Sequence, residues 1–160
     1  MNWGSAFQDL EALYAELEQE LSALRPKCAV SGRCCKFREY GHELWTTRLE
    51  FEYLLAHEKL PREVPEGVCP FYKNGLCGAR AHRMLGCRIF FCDPSFQPVM
   101  VNLYPRYAKQ IEELHVRHAL PYEYFEFEKA IRRRVVSSDP AGAGGCPGQP
   151  PPDNGVSQKA

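Results

Sequence analysis

The chain has 160 residues, a length that fits one domain, and its 20 basic and 20 acidic residues cancel, so no global field points to nucleic acid or an anionic membrane. No apolar stretch approaches the length that spans a bilayer, which argues against membrane insertion. The start, Met1-Asn2-Trp3-Gly4-Ser5, leads into a Glu-rich segment without the basic and apolar regions of a signal peptide, which predicts a cytosolic protein.

Residues 5–24 read as a helix. Ser5 is the expected cap, Phe7, Leu10, Tyr14, Leu17, Leu21 and Leu24 recur at steps of three and four, and Pro26 stops the run. Such a stripe docks on a core or forms a dimer seam. Phe37, Tyr40, Leu44 and Trp45, with Gly41 among them, predict a hairpin or two small strands between Lys36 and Trp45. Thr47 followed by Glu50 is a capping box, and a helix should run from there to Lys59 with Leu49, Tyr53, Leu54 and Ala56 available for packing. Pro61 and Pro65 then force an extended loop.

Asn74-Gly75 marks a turn, Ala79 to Leu85 predicts two helical turns before Gly86, and Asp93-Pro94 opens a segment interrupted by Pro98 and Pro105. From Arg106 to Ala119, Tyr107, Ile111, Leu114 and His118 keep a helical period until Pro121. Tyr122 to Phe127 fits an edge strand or a short helix, and Ile131 to Val136 closes the ordered domain, residues 1–136. Residues 137–160 are Pro, Gly and small polar residues that cannot bury enough apolar surface to offset chain ordering, which predicts a disordered tail carrying Cys146 as an incidental thiol. The fold class expected is mainly α with a few short β-strands, a small single domain organised around a cysteine-rich metal site.

That site rests on seven of the eight cysteines. They fall in two groups: Cys28, Cys34 and Cys35, then Cys69, Cys77, Cys87 and Cys92. In a reducing cytosol this density points to metal binding or thiol chemistry. Thiolates bind zinc and iron strongly, and loops with Gly32 and Gly75 let sulfurs converge. The Asn74-Gly75 turn would let Cys69 and Cys77 face each other. A mononuclear zinc or a four-iron cluster takes four protein ligands, so either some thiols are spare or redox-active, or the site is polynuclear with bridging thiolates. Adjacent Cys34 and Cys35 serve one centre only in an irregular loop or by bridging two metals. An architectural zinc site fits the set as well as a redox or catalytic one does.

This run resembles the YkgJ-type cysteine-cluster proteins, the CxxCxxCC zinc- or iron-chelating domain, over roughly Cys28 to Phe91. The family's ordered places are held here by Cys28, Cys34-Cys35, a strand and Thr-started helix at Leu44 to Thr47, Cys69-Pro70-Phe71, Cys77 and Cys87-Arg88-Ile89-Phe90. The family's second Cys is Ser31 here, and Arg83-Met84 stands where Arg-Pro is usual. Serine is a poor ligand for soft metals, so Ser31 is expected to leave coordination and Cys92 to compensate. The segments Cys92-Asp93-Pro94, Leu114-His115 with His118, and Pro121-Tyr122 look like a subgroup with a longer C-terminal part. The resemblance implies a zinc or iron–sulfur cofactor and says little about a reaction.

Around the cysteines, Arg83 and Arg88 are expected to lower thiolate pKa values or to donate to a cluster's sulfurs. His82 reads as a surface histidine in a short helix. His115 and His118 read as one core-facing and one exposed side chain, not as a metal pair. Arg132-Arg133-Arg134 reads as a helix end paired with Glu123, Glu126 and Glu128. Three functions follow: a metal-binding protein with a structural or redox-sensing centre; an enzyme for protein modification or electron transfer with the cluster at its active site; or a zinc adaptor for a protein partner, with an exposed apolar patch on the first helix.

Overall fold

The structure is a computed structural model, and it describes residues 1–138. The expected tail beyond Ser138, with Cys146, lies outside the described residues. The described residues are mainly helical with four short strands. Among the described residues, no helix is long and apolar enough to cross a membrane.

Helix α1 spans Trp3–Leu24. Its cap is Asn2, not Ser5: the Asn2 carboxamide oxygen accepts from the Ser5 N–H at 3.2 Å. Arg25 closes the helix in a left-handed conformation, and Pro26 prevents its continuation. Ala6, Leu10, Leu13, Tyr14, Leu17 and Leu21 are buried, whereas Leu24 is exposed. The face lies against α5, Gln97–Arg117, whose buried side is Leu103, Tyr107, Ile111, Leu114 and His115. The stripe on α1 is therefore used inside the fold and leaves no open seam or adaptor patch there.

Helix α5 starts nine residues earlier than the sequence pattern suggests. Pro98 sits in its first turn, where a missing N–H costs nothing. Pro105 lies inside the helix on its exposed side, and Val101, whose carbonyl loses its partner there, is also exposed. Water can serve that carbonyl, so the core-facing residues override the expected break.

The capping box at Thr47 and Glu50 is present and starts α3, Arg48–His57. Its N-terminal neighbour is a strand, β1, Trp45–Thr47. The hairpin expected between Lys36 and Trp45 does not form. Phe37–Tyr40 makes one helical turn, α2, closed by Gly41, and β1 pairs antiparallel with β4, Tyr124–Glu126, matching Trp45 with Glu126 and Thr47 with Tyr124. The partner strand lies about eighty residues away, beyond the reach of local pattern. Helix α6, Phe127–Ser138, follows β4 directly. Arg132 pairs with Glu128 at 3.0 Å, and Arg134 pairs with Glu52 across to α3.

Asn74 and Gly75 both take positive φ and join β2, Tyr72–Lys73, to β3, Leu76–Cys77, in a two-residue hairpin. Cys77 is therefore opposite Tyr72 and not Cys69. The two turns expected over Ala79 to Leu85 are loop, and the helix α4 runs Leu85–Ile89 through Gly86. Two side chains decide this. Glu50 accepts the Leu85 N–H at 2.8 Å and so starts α4 from outside. Arg88 donates to the carbonyls of Ala81 and Arg83, both at 2.8 Å, and takes them away from a local helix.

Two cores result. One lies between α1, α5 and the faces of α3 and α4, and the other gathers Cys35, Phe37, Phe51, Leu54, Cys69, Phe71, Phe127 and Ile131. The seam between them is polar. Glu50 is buried and accepts from the Tyr14 hydroxyl at 2.9 Å, from Leu85 N–H, and from the backbone and hydroxyl of Thr47, both at 2.9 Å.

Candidate metal centre

The first cysteine loop is shaped by Gly32. Its φ is +69°, and an added Cβ would meet the Tyr72 ring at 2.6 Å, so glycine is required both by conformation and by close approach. A short 3-10 turn, Arg33–Cys35, follows. The Cys69 N–H donates to the Cys35 carbonyl at 2.7 Å, and the Arg38 N–H to the Gly67 carbonyl at 3.0 Å, which fastens the second loop to the first. Helix α6 holds the far side: Glu128 accepts from the Gly67 N–H at 2.9 Å, and Arg132 donates to the Val64 carbonyl at 2.9 Å.

These loops, with β3 and α4, bring Cys28, Cys34, Cys35, Cys69, Cys77, Cys87 and Cys92 to the wall of one cavity of about 170 Å³. All seven are free thiols. Cys35 and Cys69 are buried, and Cys28 is exposed at the loop that opens the set. Cys34 and Cys35 place their sulfurs 4.0 Å apart, and Ser31 Oγ stands 3.3 Å from Cys92 Sγ. Ser31 thus stays at the cavity beside the very cysteine expected to replace it.

The thiols are electrostatically unequal. The Cys35 thiol holds Cys34 low, at about 6, with Arg83 and Arg80 adding to the effect against burial. It also lowers Cys77 to about 7. Cys35 is itself pushed far up, since its proton is shared toward Cys34, Cys69 and Cys77. Burial raises Cys87 well above its ordinary value. Such an array favours thiolate character at some sulfurs while others keep their protons.

Arg33, Arg80 and Arg83 line the cavity, and among the described residues no Asp or Glu does. Arg83 Nε is buried and finds no hydrogen-bond partner. Arg83 therefore stands where it was expected. Arg88 does not: it is buried behind α4, stacked over the Tyr14 ring at 3.9 Å, and paired with Glu18 at 2.7 Å. Through the Ala81 and Arg83 carbonyls it fixes the loop that carries Arg83, so it positions that residue and touches no sulfur. His82 stacks on His57 and pairs with Glu58 at 2.8 Å, away from the thiols. His115 is buried, and His118 pairs with Asp9 at 2.8 Å, so neither approaches the cavity.

The residues present can be tested against a metal. Seven soft donors, no competing carboxylate among the described residues and a guanidinium whose buried Nε lacks a partner suit a thiolate-bound centre. The spacing is less specific: among the described residues, no three or more His, Cys, Asp or Glu side chains are already grouped to hold a metal ion. The sulfurs surround a cavity instead of outlining a finished tetrahedron. Arg33 and Arg80 were missed in the sequence, although each lies within three residues of a singled-out Cys or Arg. Searches for relatives add nothing to these residues: no family model, no curated protein and no solved structure matches this chain.

Proposed function

We propose that this chain is a metal-binding protein whose loop cysteines hold zinc or an iron–sulfur cluster as a structural or redox-sensing centre. One observation carries the reading: seven cysteines from separate segments line a single cavity with three arginines and, among the described residues, no acid. The resemblance of Cys28 to Phe91 to the YkgJ-type cysteine-cluster proteins supports the same reading. A bound centre would cross-link the loops and, with iron, supply one-electron chemistry. Cys28, Cys34, Cys35, Cys69, Cys77, Cys87 and Cys92 are its candidate ligands. Arg83 faces the negative charge that thiolates bring, and Arg88 keeps Arg83 in place.

Metal analysis with a visible spectrum, on protein purified without oxygen, tests this. Stoichiometric zinc without colour supports a structural centre. Iron with sulfide and broad visible absorption supports a redox one. Protein that takes up neither, or that loads fully after replacement of Cys34, Cys35, Cys77 and Cys87 by Ser, overturns the proposal.

A second reading, an enzyme with the centre at its active site, is favoured by the spare thiols and by an open cleft on the other side of Cys34 and Cys87. A reaction that depends on the cleft residues would distinguish it from a purely structural role.

A further inference from the structure

The cysteine cavity shares a wall with a second cleft of about 260 Å³: Cys34, Leu44, Cys87 and Phe90 line both. The rest of the cleft is His42, Glu43, Trp45, Gly86, Tyr104 and Tyr124. Long-range pairing assembles it. In the β1–β4 register Trp45 lies opposite Glu126, two residues from Tyr124, so the two rings are diagonal neighbours and stack at 5.5 Å. His42 stacks on Phe90 at 5.9 Å with the rings 12° from parallel. Tyr104, reaching over from α5, places its hydroxyl 3.0 Å from that of Tyr124.

This aromatic surface is left open. Trp45, Phe90 and Tyr124 are 40%, 38% and 47% exposed, in a chain that buries Phe37, Phe51, Phe71 and Phe127. Its fixed charge is one-sided. Among the described residues Glu43 is the only carboxylate in the lining and no Lys or Arg joins it, and the Glu43 carboxylate accepts from the Trp45 indole N–H at 3.1 Å. The aromatic faces are themselves negative in electrostatic potential. The other side of the wall contrasts with this: there, among the described residues, three arginines and no acid line the cavity. An anion would meet repulsion from Glu43 and from the ring faces. A neutral ring would stack but would leave the Glu43 carboxylate with the Trp45 indole N–H and no counter-charge.

We propose that this cleft binds an organic cation, an alkylated ammonium group seated among the aromatic side chains with Glu43 as its counter-charge. The site would hold such a group beside the shared cysteine wall. It does not depend on the metal reading, because its charge and its aromatic walls come from other residues.

The test uses the full chain as purified. Trp3 and Trp45 are its only tryptophans, so a Trp3→Phe variant leaves Trp45 as the sole indole reporter. Its fluorescence is followed during titration with choline chloride, with the neutral isostere 3,3-dimethylbutan-1-ol, and with benzoate. Saturable choline binding about five- to thirty-fold tighter than the isostere, as expected for a cation over aromatic faces, supports the proposal, with several-fold loss in Glu43→Gln. Calorimetry on the unmodified chain guards against an effect of the Trp3→Phe change. Equal affinity for choline and the alcohol, tighter benzoate, or no saturable binding overturns it. Discrimination of choline by protein that takes up no metal would sink the metal reading and leave this one standing. Metal-loaded protein that fails to discriminate would do the reverse.

Discussion

Leu10, Leu17 and Ile111 are completely sealed between α1 and α5, where two helices of more than twenty residues each supply their own backbone hydrogen bonds. Around Cys35 and Cys69 the chain is mostly loop, two-residue strands and single turns, fastened by a few backbone contacts such as Cys69 N–H to Cys35 carbonyl. The first core contains only hydrocarbon and aromatic side chains, whereas the second places thiols against Phe37, Phe51 and Phe71. The difference teaches where each half finds its stability. Burial between long helices is sufficient by itself. Loops of this kind order many residues for the apolar surface they bury, and the proposed cross-linking centre would make up the deficit.

The sharpest way to break the comparison is to strip the proposed metal. Chelation under reducing conditions should cost the cysteine half roughly 10 kcal/mol, the scale of structural zinc binding. Hydrogen exchange should then rise across residues 28–40 and 67–84 and stay slow in α1 and α5. Uniform exchange in both halves, or none in either, would refute a division of labour. In the other direction, Leu17→Ala should destabilise by about 2–5 kcal/mol in denaturant unfolding, the usual cost of truncating a sealed core side chain. Metal content per chain should not change, because Leu17 touches only the helical core.

The seam offers an intermediate case. Glu50→Ala orphans the Tyr14 hydroxyl and the Leu85 N–H, at roughly 1–3 kcal/mol for each buried donor left alone. Because Leu85 begins the helix that carries Cys87, metal affinity should fall together with the unfolding midpoint. A loss of stability with unchanged affinity would show that the seam does not couple the halves.

The smallest effect is one of pH. His115 Nδ1 donates to the Pro121 carbonyl at 3.0 Å, while Nε2 is buried without a partner. Burial lowers its pKa, and the Pro121 hydrogen bond, with Glu50 and Glu112, opposes this only in part. The unfolded chain therefore binds the proton more readily than the folded one. The contribution is present above the unfolded histidine value, about 6.5, and is lost as pH falls through it. Unfolding midpoints should decline between pH 7.5 and 5.5, and His115→Gln should flatten that slope.

What was legible came from local chemistry. The period of Leu10, Tyr14, Leu17 and Leu21 located α1, the pair Thr47 and Glu50 located the start of α3, and Asn74-Gly75 located the hairpin turn. Each depends on residues within one or two turns of one another. The expected helix over Ala79 to Leu85 failed because Glu50 and Arg88, one of them in a different helix, captured the donor and carbonyls that decide it. Pro105 was read as a break, and an exposed position let α5 run through it.

By itself the sequence determined that the chain is mainly helical, that α3 begins at Thr47, and which seven cysteines line a common cavity. Helical period, capping and thiol density are written in near neighbours and survive any arrangement of the rest. Tertiary structure alone decided that β1 pairs with β4, that Arg88 supports a loop and touches no sulfur, and that Trp45, Tyr104 and Tyr124 meet beside Cys34 and Cys87. Those outcomes depend on contacts between residues tens of positions apart, where the choice among partners is made by packing and charge in the folded state.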